Sequence, residues 1–338
     1  MKASLPGLTK LRLVFPGFSV AVLIAATAQF LSEHYGAPAM LMALLLGLAL
    51  NFLAEDGTRT APGIAITSKT VLRLGVALLG VRISVDMLSG LGADMIALTV
   101  LGVIVTILFA ILASLLFRRD WRFALLTGGS VAICGASAAM AIASVLPRSE
   151  HSERDLVFTV LSVTLLSTIA MVLYPILSQG LGFSPREAGV FLGGTIHDVA
   201  QVVGAGFSID VQTGESATLV KLIRVAMLAP VVLAISLAMR ARGEADIGEG
   251  VKKQPLIPGF LLGFLALATL NSAGVVPEVL ADYMAEISRW ALLISIGAVG
   301  VKTSLKRILD VGGAAIALIV LETLFLGSFV LSGLHLLG

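Results

Sequence analysis

Charged side chains are scarce in this sequence of 338 residues. Lys, Arg, Asp and Glu together make up 13% of it, whereas hydrophobic residues make up 57%, and the mean hydropathy is +1.02. A soluble domain of this length needs more polar side chains to cover its surface. The composition therefore excludes a soluble globular protein and predicts a chain that lies in a lipid bilayer.

Cysteine is almost absent. The one cysteine, Cys134, excludes an internal disulfide, and no Cys/His cluster has the spacing of a zinc or iron–sulfur site. No GxxxxGK[ST] motif is present, so ATP is not expected to drive the protein directly. The net charge of +2 says little about partners, because in a membrane protein the placement of charge matters more than its sum. Nucleic acid is not an expected partner. We expect no cofactor and no metal.

Apolar runs recur from one end of the chain to the other. A helix needs about 20 residues to cross a hydrocarbon core of roughly 30 Å. The runs therefore predict an all-α polytopic membrane protein with about 11 transmembrane helices. The predicted spans are 13–31, 38–53, 68–85, 95–117, 124–146, 156–178, 187–206, 217–239, 257–275, 288–305 and 312–336.

The loops between the predicted spans differ in charge. Lys and Arg are concentrated after spans two, four, eight and ten, whereas acidic residues such as Glu33 and Asp210 fall in the other loops. A mixed loop, 148–155, falls among the acidic ones. By the positive-inside rule the basic loops are cytoplasmic. The alternation predicts eleven crossings, with the N-terminus in the cytoplasm.

The sequence also resembles itself at an offset of 220 residues. The odd number of spans between the copies predicts that they are oppositely oriented, and inverted repeats are typical of secondary transporters. We therefore expect a single transporter domain over residues 1–338. Asn51 and Asn271 are candidate gates or ligand donors, with helix caps as the alternative. The matching pairs are Pro38/Pro258, Asn51/Asn271, Gly80/Gly300, Val81/Val301, Arg82/Lys302 and Ser84/Ser304.

Two segments, GGSVAICGAS from Gly128 and GGTIHDVAQ from Gly193, begin alike. We expect each Gly-Gly pair to interrupt a helix in mid-membrane, and Ser130 or Thr195 to cap the half-helix that follows. Free backbone N–H groups at such a half-helix form an anion site. The alternative is that the glycines only allow a close helix crossing. The candidate ligands are Gly128, Gly129, Ser130, Cys134, Ser137, Gly193, Gly194, Thr195 and Gln201.

Several charges lie inside predicted spans, where they are expensive and are by default functional candidates. His197 and Asp198 are predicted to carry a coupling proton, with a packing histidine and a structural salt bridge as the alternatives. Arg224, with Lys221 one turn earlier, is predicted to form a positive wall beside the anion site, or else to snorkel to the interface. For Glu322 an ion pair with a basic residue is the plain explanation.

Three segments resemble the YeiH-type family of bacterial inner-membrane proteins, described as candidate sulfate exporters: LGVALLG (74–80), CGASA (134–138) and GGTIHDVAQV (193–202). The resemblance implies a bacterial inner (plasma) membrane and the superfamily of bile-acid, arsenite and riboflavin transporters. It implies inverted five-helix repeats, in which Ser130, Cys134 and Ser137 lie at a helix crossing opposite Gly297 and Gly300. That pattern pairs span two with span seven, whereas the offset of 220 pairs it with span nine, so both pairings stay open.

Together these features predict a secondary transporter of a small anion, with sulfate or sulfite efflux as the first candidate. Alternating access coupled to protons or sodium is expected, and a homodimer is left open. A cation/proton antiporter that uses Asp198 is the first rival function. An intramembrane enzyme, with Cys134 or Ser137 as nucleophile and His197 as base, is the second, and a channel is the third. We expect no enzyme activity.

Overall fold

The computed structural model describes residues 6–35, 37, 39–55, 57–82, 89–147, 149, 151–241, 259–303 and 313–337, and all regular structure in these ranges is helical. The helices that position the site are α1 Pro6–Tyr35, α2 Ala39–Ala49, α3 Ala61–Arg82, α4 Ala93–Leu116, α5 Trp121–Ala132, α6 Ala136–Ala143, α7 Ser152–Gly180, α8 Pro185–Thr195, α9 Val199–Phe207, α10 Val211–Ala226, α11 Leu228–Ala241, α12 Gly259–Ser272, α13 Glu278–Lys302 and α14 Gly313–Leu337.

Seven segments of the described chain are long and apolar enough to cross a membrane. They are α1, α3, α4, α7, the continuous α10 and α11, α13 and α14. The helices α2 and α12 are apolar but shorter. The all-α polytopic fold is therefore confirmed, and the number of crossings stays a prediction. The ends of the predicted spans at 38, 83–85, 257–258, 304–305 and 312 lie outside the described residues.

By its internal contacts the chain divides into two compact units. The first unit comprises Met1–Val85, Val203–Glu215 and Phe260–Leu305, and the second comprises Asp86–Val202, Ser216–Gly259 and Lys306–Gly338. The first unit therefore contains α1, α2, α3, α12 from Phe260 onward and α13, whereas α9 and α10 are divided between the two units. The second contains α4 to α8, α11 and α14.

Two glycine contacts in the first unit repeat each other at the offset of 220. A Cβ on Gly80 would overlap the carbonyl oxygen of Phe264, and a Cβ on Gly300 would overlap that of Leu44. Glycine is therefore required for both close approaches. Gly80 and Gly300 are 220 residues apart, and so are Leu44 and Phe264, so each contact is the image of the other. Of the matched positions, Pro38, Pro258, Ser84 and Ser304 lie outside the described residues.

The first helix interruption lies later in the chain than predicted. Gly128 and Gly129 are inside α5, and the break is at Ile133–Gly135, where Gly135 has a φ of 62°. The Ser130 hydroxyl donates to the Leu126 carbonyl at 2.5 Å, so the prediction that it caps the following helix is wrong. The end of α5 is closed by Gly135, whose N–H donates to the Ser130 carbonyl at 2.8 Å and whose positive φ turns the chain.

Beyond this break the chain doubles back. A Cβ on Gly129 of α5 would overlap the side chain of Ile142 in α6. In one continuous helix these two residues would be roughly 20 Å apart, at 1.5 Å per residue. The helices α5 and α6 therefore form a helical hairpin, called hairpin 1 (121–143). The predicted span 124–146 is thus a hairpin and not a single rod.

The second interruption has the same character. Gly193 and Gly194 are inside α8, and the break is at Ile196–Asp198. The Thr195 hydroxyl donates to the Phe191 carbonyl at 2.5 Å, so it does not cap α9, and this prediction is also wrong. Both Gly-Gly pairs thus precede a break without forming it.

The return of the chain after this second break follows from the packing of α8 on α10. Gly189 contacts Ser216, and Gly193 contacts Ala217 and Val220, so residue numbers rise together along the two helices. The Gly-x-x-x-Gly spacing in α8 allows this close approach. Because α8 and α10 are parallel neighbours, α9 between them runs back toward the start of α8. The helices α8 and α9 are called hairpin 2 (185–207).

Candidate functional site

Two basic side chains of α10 bind the tips of both hairpins. Lys221 Nζ donates to the Ile133 carbonyl of hairpin 1 at 2.8 Å and to the Ile196 carbonyl of hairpin 2 at 2.9 Å. Carbonyl groups at the C-terminal end of a helix lack intrahelical partners and carry the negative end of its dipole. One ammonium group therefore satisfies the free ends of α5 and α8 together.

Arg224 adds a second bridge one turn further along α10. Its Nε and Nη2 donate to the Ala132 and Val131 carbonyls of hairpin 1, each at 2.7 Å. Its Nη1 lies 3.0 Å from the Gly193 carbonyl and 3.2 Å from the Ile196 carbonyl of hairpin 2. The planar guanidinium can direct donors to several carbonyls at once, which a lysine cannot do.

Both cations are buried, with an exposure of 0% for Lys221 and 1% for Arg224. The alternative that they snorkel to the interface is therefore wrong, whereas the positive wall beside an anion site stays a prediction. The sequence did not indicate their partners, because the partners are backbone carbonyls and any residue type supplies those. Several backbone carbonyl dipoles around a cation reduce the free-energy cost of burying its charge, which would be several kcal/mol without partners.

The charge around the tips is predominantly positive. Lys221, Arg224, Asp198 and Cys134 are close enough to interact electrostatically. Two cations face one carboxylate in this set, since a cysteine in ordinary conditions is a neutral thiol. The tip region therefore has an excess of positive charge, which favours a negatively charged ligand.

Asp198 closes the tip of hairpin 2. Its carboxylate accepts a hydrogen bond from the Ala200 N–H at 2.8 Å, in the position of an N-cap for α9. Its own N–H donates to Ser167 Oγ in α7 at 3.0 Å. The cap that was predicted for Thr195 is therefore supplied three residues later by Asp198, and its side chain remains partly exposed.

His197 points into the interior of the second unit and is fully buried. Its Nε2 lies 3.0 Å from Thr323 Oγ1 in α14, and the Thr323 hydroxyl donates to the Ile319 carbonyl at 2.8 Å. Thr323 has no second hydrogen to give, so His197 Nε2 carries the hydrogen of this bond. Thr323 was not found from the sequence because a threonine in an apolar helix usually bonds its own helix.

The remaining predicted ligands of the second unit lie around the tips but differ in exposure. Cys134 is buried at the turn of hairpin 1 and Ser137 is exposed one turn later. Gln201 is buried, and its Nε2 donates to Thr168 Oγ1 in α7 at 2.7 Å. The structure thus brings the two Gly-Gly segments, Gln201 and Arg224 into one unit. Their role as anion ligands stays a prediction.

Asn51 and Asn271 lie in the first unit. Asn51 Nδ2 donates to the Val301 and Thr303 carbonyls at 2.8 and 2.9 Å, at the end of α13. Asn51 thus binds the C-terminal carbonyls of another helix, and its role as a gate or ligand donor stays a prediction. Asn271 lies in the last turn of α12 and is half-buried.

The second unit repeats a contact at the same offset as the first. A Cβ on Gly128 of hairpin 1 would overlap the side chain of Ala110 in α4. A Cβ on Gly194 of hairpin 2 would lie 3.4 Å from Val330 in α14. Ala110 and Val330 are 220 residues apart, so corresponding positions of α4 and α14 each contact the Gly-Gly pair of a hairpin.

Comparison with known proteins identifies the family of this chain. Residues 16–319 match the family described as Conserved hypothetical protein 698. The chain belongs to this family. It is 73% identical over 324 residues to the UPF0324 membrane protein TauZ of Paracoccus pantotrophus, which covers 96% of each chain. It is 50% identical over 317 residues to the UPF0324 membrane protein CT0845 of Chlorobaculum tepidum, which covers 94% of this chain and 88% of the relative.

These matches confirm the predicted YeiH-type family and the membrane location. Both relatives have names of membrane proteins and neither has the name of an enzyme. Among solved structures the chain is similar to the sodium proton antiporter MjNhaP1 of Methanocaldococcus jannaschii, with 12% identity and a TM-score of 0.32 over 96% of this chain and 99% of that one.

Proposed function

We propose that this chain is a secondary transporter of a small anion, with sulfate and sulfite efflux as the first candidate. The observation that carries the proposal is the pair of buried cations, Lys221 and Arg224, at the tips of two interrupted helices. Interrupted helices at a binding site are a feature of secondary transporters. The excess positive charge at the tips would be balanced by an anion.

The donors for that anion would come from two sources. The N-terminus of α6 follows directly on Gly135 and presents backbone N–H groups of its first turn. The N–H groups of Lys221 and Arg224 that do not bond carbonyls would supply further hydrogen-bond donors, and both side chains would supply positive charge. Ser137, exposed in the first turn of α6, would add a hydroxyl group.

The hairpins support a topology with nine crossings, given by the seven long and two shorter helices. With the N-terminus in the cytoplasm, hairpin 1 then enters from the cytoplasm after four crossings, and hairpin 2 enters from the opposite side after five. The loop 148–155 moves to the cytoplasmic side, which suits Arg148 and Arg154. The basic loops after α4, α11 and α13 keep the cytoplasmic side that the eleven-span topology gave them.

Two offsets then describe one inverted repeat. An offset of 220 relates α2, α3 and α4 to α12, α13 and α14, whereas an offset near 65 relates hairpin 1 and α7 to hairpin 2 and α10. The order of elements in the second copy is permuted, because hairpin 2 and α10 precede α12. Two pairs of equivalent contacts support this pairing. Gly80 and Gly300 each contact the partner repeat in the same way, and Ala110 and Val330 each contact the Gly-Gly pair of one hairpin. Within this proposal residues 1–338 act as one transporter domain with alternating access.

The experiment is uptake of labelled sulfate and sulfite into proteoliposomes under imposed proton or sodium gradients. We expect gradient-driven uptake by the wild type and its loss in Arg224→Met, with partial activity in Arg224→Lys because the charge is kept. Arg289→Met, a matched control in the first unit, should retain uptake. Uptake of neither anion by folded protein would reject sulfate and sulfite, and proton-driven cation exchange in that preparation would favour the antiporter that uses Asp198.

A further inference from the structure

The second unit buries a carboxyl group for which the proposed anion site has no use. Glu322 lies near the middle of α14 with an exposure of 0%. Its Oε1 lies 2.8 Å from Thr127 Oγ1 in α5, and its Oε2 is buried without a hydrogen-bond partner. The expected ion pair is wrong for the described residues, in which no Lys, Arg or His nitrogen lies within 4.0 Å of this carboxyl group.

The helices that pack against α14 are α4, α5, α7 and α8. His197 reaches α14 through Thr323, and the hydroxyl group of Tyr174 lies 3.7 Å from the Cβ position of Gly327. The other charged groups lie in the first turns of their helices. These other groups are Asp94 on α4, Arg122 on α5, Glu153, Arg154 and Asp155 on α7, and Arg186 and Glu187 on α8, with His335 in the last turn of α14 itself.

The hydrogen bonds suit a neutral acid better than a carboxylate. Thr127 has one hydroxyl hydrogen, and its Oγ1 also lies 3.1 Å from the Phe123 carbonyl. A protonated Glu322 donates to Thr127, which then donates to Phe123, so each hydrogen has an acceptor. An ionised Glu322 would leave an anionic oxygen without a donor, and an unpaired charge in a membrane interior is energetically costly.

The position of Glu322 connects its protonation to both hairpins. Glu322 bonds hairpin 1 through Thr127, and the next residue, Thr323, bonds hairpin 2 through His197. When Glu322 loses its proton, it changes from donor to acceptor in its bond to Thr127, and when it gains the proton it changes back. A change at one residue of α14 therefore alters the attachment of hairpin 1, beside the tip carbonyls that Lys221 and Arg224 bind.

We propose that Glu322 is the group that takes up and releases the coupling proton, while Asp198 serves as the cap of α9. An O–H bond forms on Glu322 with a proton from water on one side of the membrane and breaks to return that proton to water on the other side. The coupling role of Glu322 rests on the proposed transport function. The protonation itself can be tested without any substrate.

The first test is difference infrared spectroscopy of the purified protein in lipid over a pH titration. We expect a carbonyl band of a protonated carboxylic acid that titrates, that is absent in Glu322→Gln and that is unchanged in Glu278→Gln, an exposed control. Thr127→Val removes the partner hydroxyl group and should shift the titration midpoint of the band. A band that persists in Glu322→Gln, or a midpoint that Thr127→Val leaves in place, would overturn the proposal.

The second test compares two modes of sulfate movement in proteoliposomes. Glu322→Gln should retain exchange of labelled for unlabelled sulfate and lose proton-driven accumulation. Retained accumulation, or loss of exchange together with accumulation in protein that elutes as the wild type does, would overturn the coupling role. If the wild type moves neither sulfate nor sulfite, the anion assignment fails, and the infrared titration alone decides whether Glu322 is the proton site.

Discussion

At the scale of single residues, the hairpin tips depend on side chains that serve backbone groups. Lys221 and Arg224 bind carbonyls that the ends of α5 and α8 leave without partners. Asp198 binds an N–H group at the start of α9. Cations at C-terminal ends and an anion at an N-terminal end both follow the sign of the helix dipole. The same residues therefore stabilise the tips and set their charge.

Lys221→Met should destabilise the protein strongly. The substitution keeps an unbranched apolar chain but leaves the Ile133 carbonyl without a donor, whereas the Ile196 carbonyl keeps Arg224 Nη1 at 3.2 Å. A buried acceptor left unsatisfied costs about 1–3 kcal/mol, so the expected loss is about 1–3 kcal/mol. Thermal unfolding of the detergent-solubilised protein measures it. Lys69→Met, at an exposed position, is the control, and equal unfolding temperatures for the two variants would contradict the bridging role.

Two substitutions at Asp198 separate its cap from its charge. Asparagine caps a helix about as well as aspartate does, whereas alanine in place of a cap costs about 0.5–2 kcal/mol. If the side chain serves as a cap, Asp198→Asn should keep both stability and proton-driven uptake, and Asp198→Ala should lower the unfolding temperature. Loss of proton coupling in a stable Asp198→Asn protein would instead assign coupling to Asp198, as its place inside a predicted span suggests.

At the scale of elements, two reciprocal glycines give a test of the repeat. In Gly80→Ala the added methyl group meets the backbone of Phe264, and in Gly300→Ala it meets that of Leu44. Because backbone cannot rotate away as a side chain does, both variants should be destabilised by a similar amount, about 1–3 kcal/mol as for overpacking. Chemical unfolding of each variant provides the measurement. Gly259→Ala, with open space at its Cβ position, should be neutral, and a neutral Gly80→Ala beside a damaging Gly300→Ala would count against the pairing.

The sequence predicted the helical elements well because apolar length determines them. It also located both interruptions to within a few residues, since Gly-Gly pairs and buried polar residues cluster there. It placed the breaks too early because Gly128 and Gly193 serve helix packing, against α4 and α10. The direction of the chain after each break could not be predicted, since a positive φ at Gly135 and the parallel packing of α8 on α10 leave no mark in hydropathy.

At the scale of the whole molecule, the side on which each loop lies separates a chain of nine crossings from one of eleven. The two topologies differ only in the side of the membrane assigned to each end of α7, the helix between hairpin 1 and hairpin 2. With eleven crossings Ser149 lies outside the cell and Leu181 inside it, whereas with two hairpins the locations are reversed. Both residues are exposed, so a cysteine at either position should react with a maleimide that reaches it.

We expect Leu181→Cys to react with a membrane-impermeant maleimide in intact spheroplasts, and Ser149→Cys to react only after permeabilisation. The background is Cys134→Ser, which removes the one native thiol. Tyr283→Cys, on the exposed outer end of α13 in both topologies, is the positive control for access. The reverse labelling pattern would restore eleven crossings and would place both hairpin entrances on one side. In that event the opposed hairpins, and with them the permuted repeat, would no longer support alternating access, even if Lys221 and Arg224 still hold the tips together.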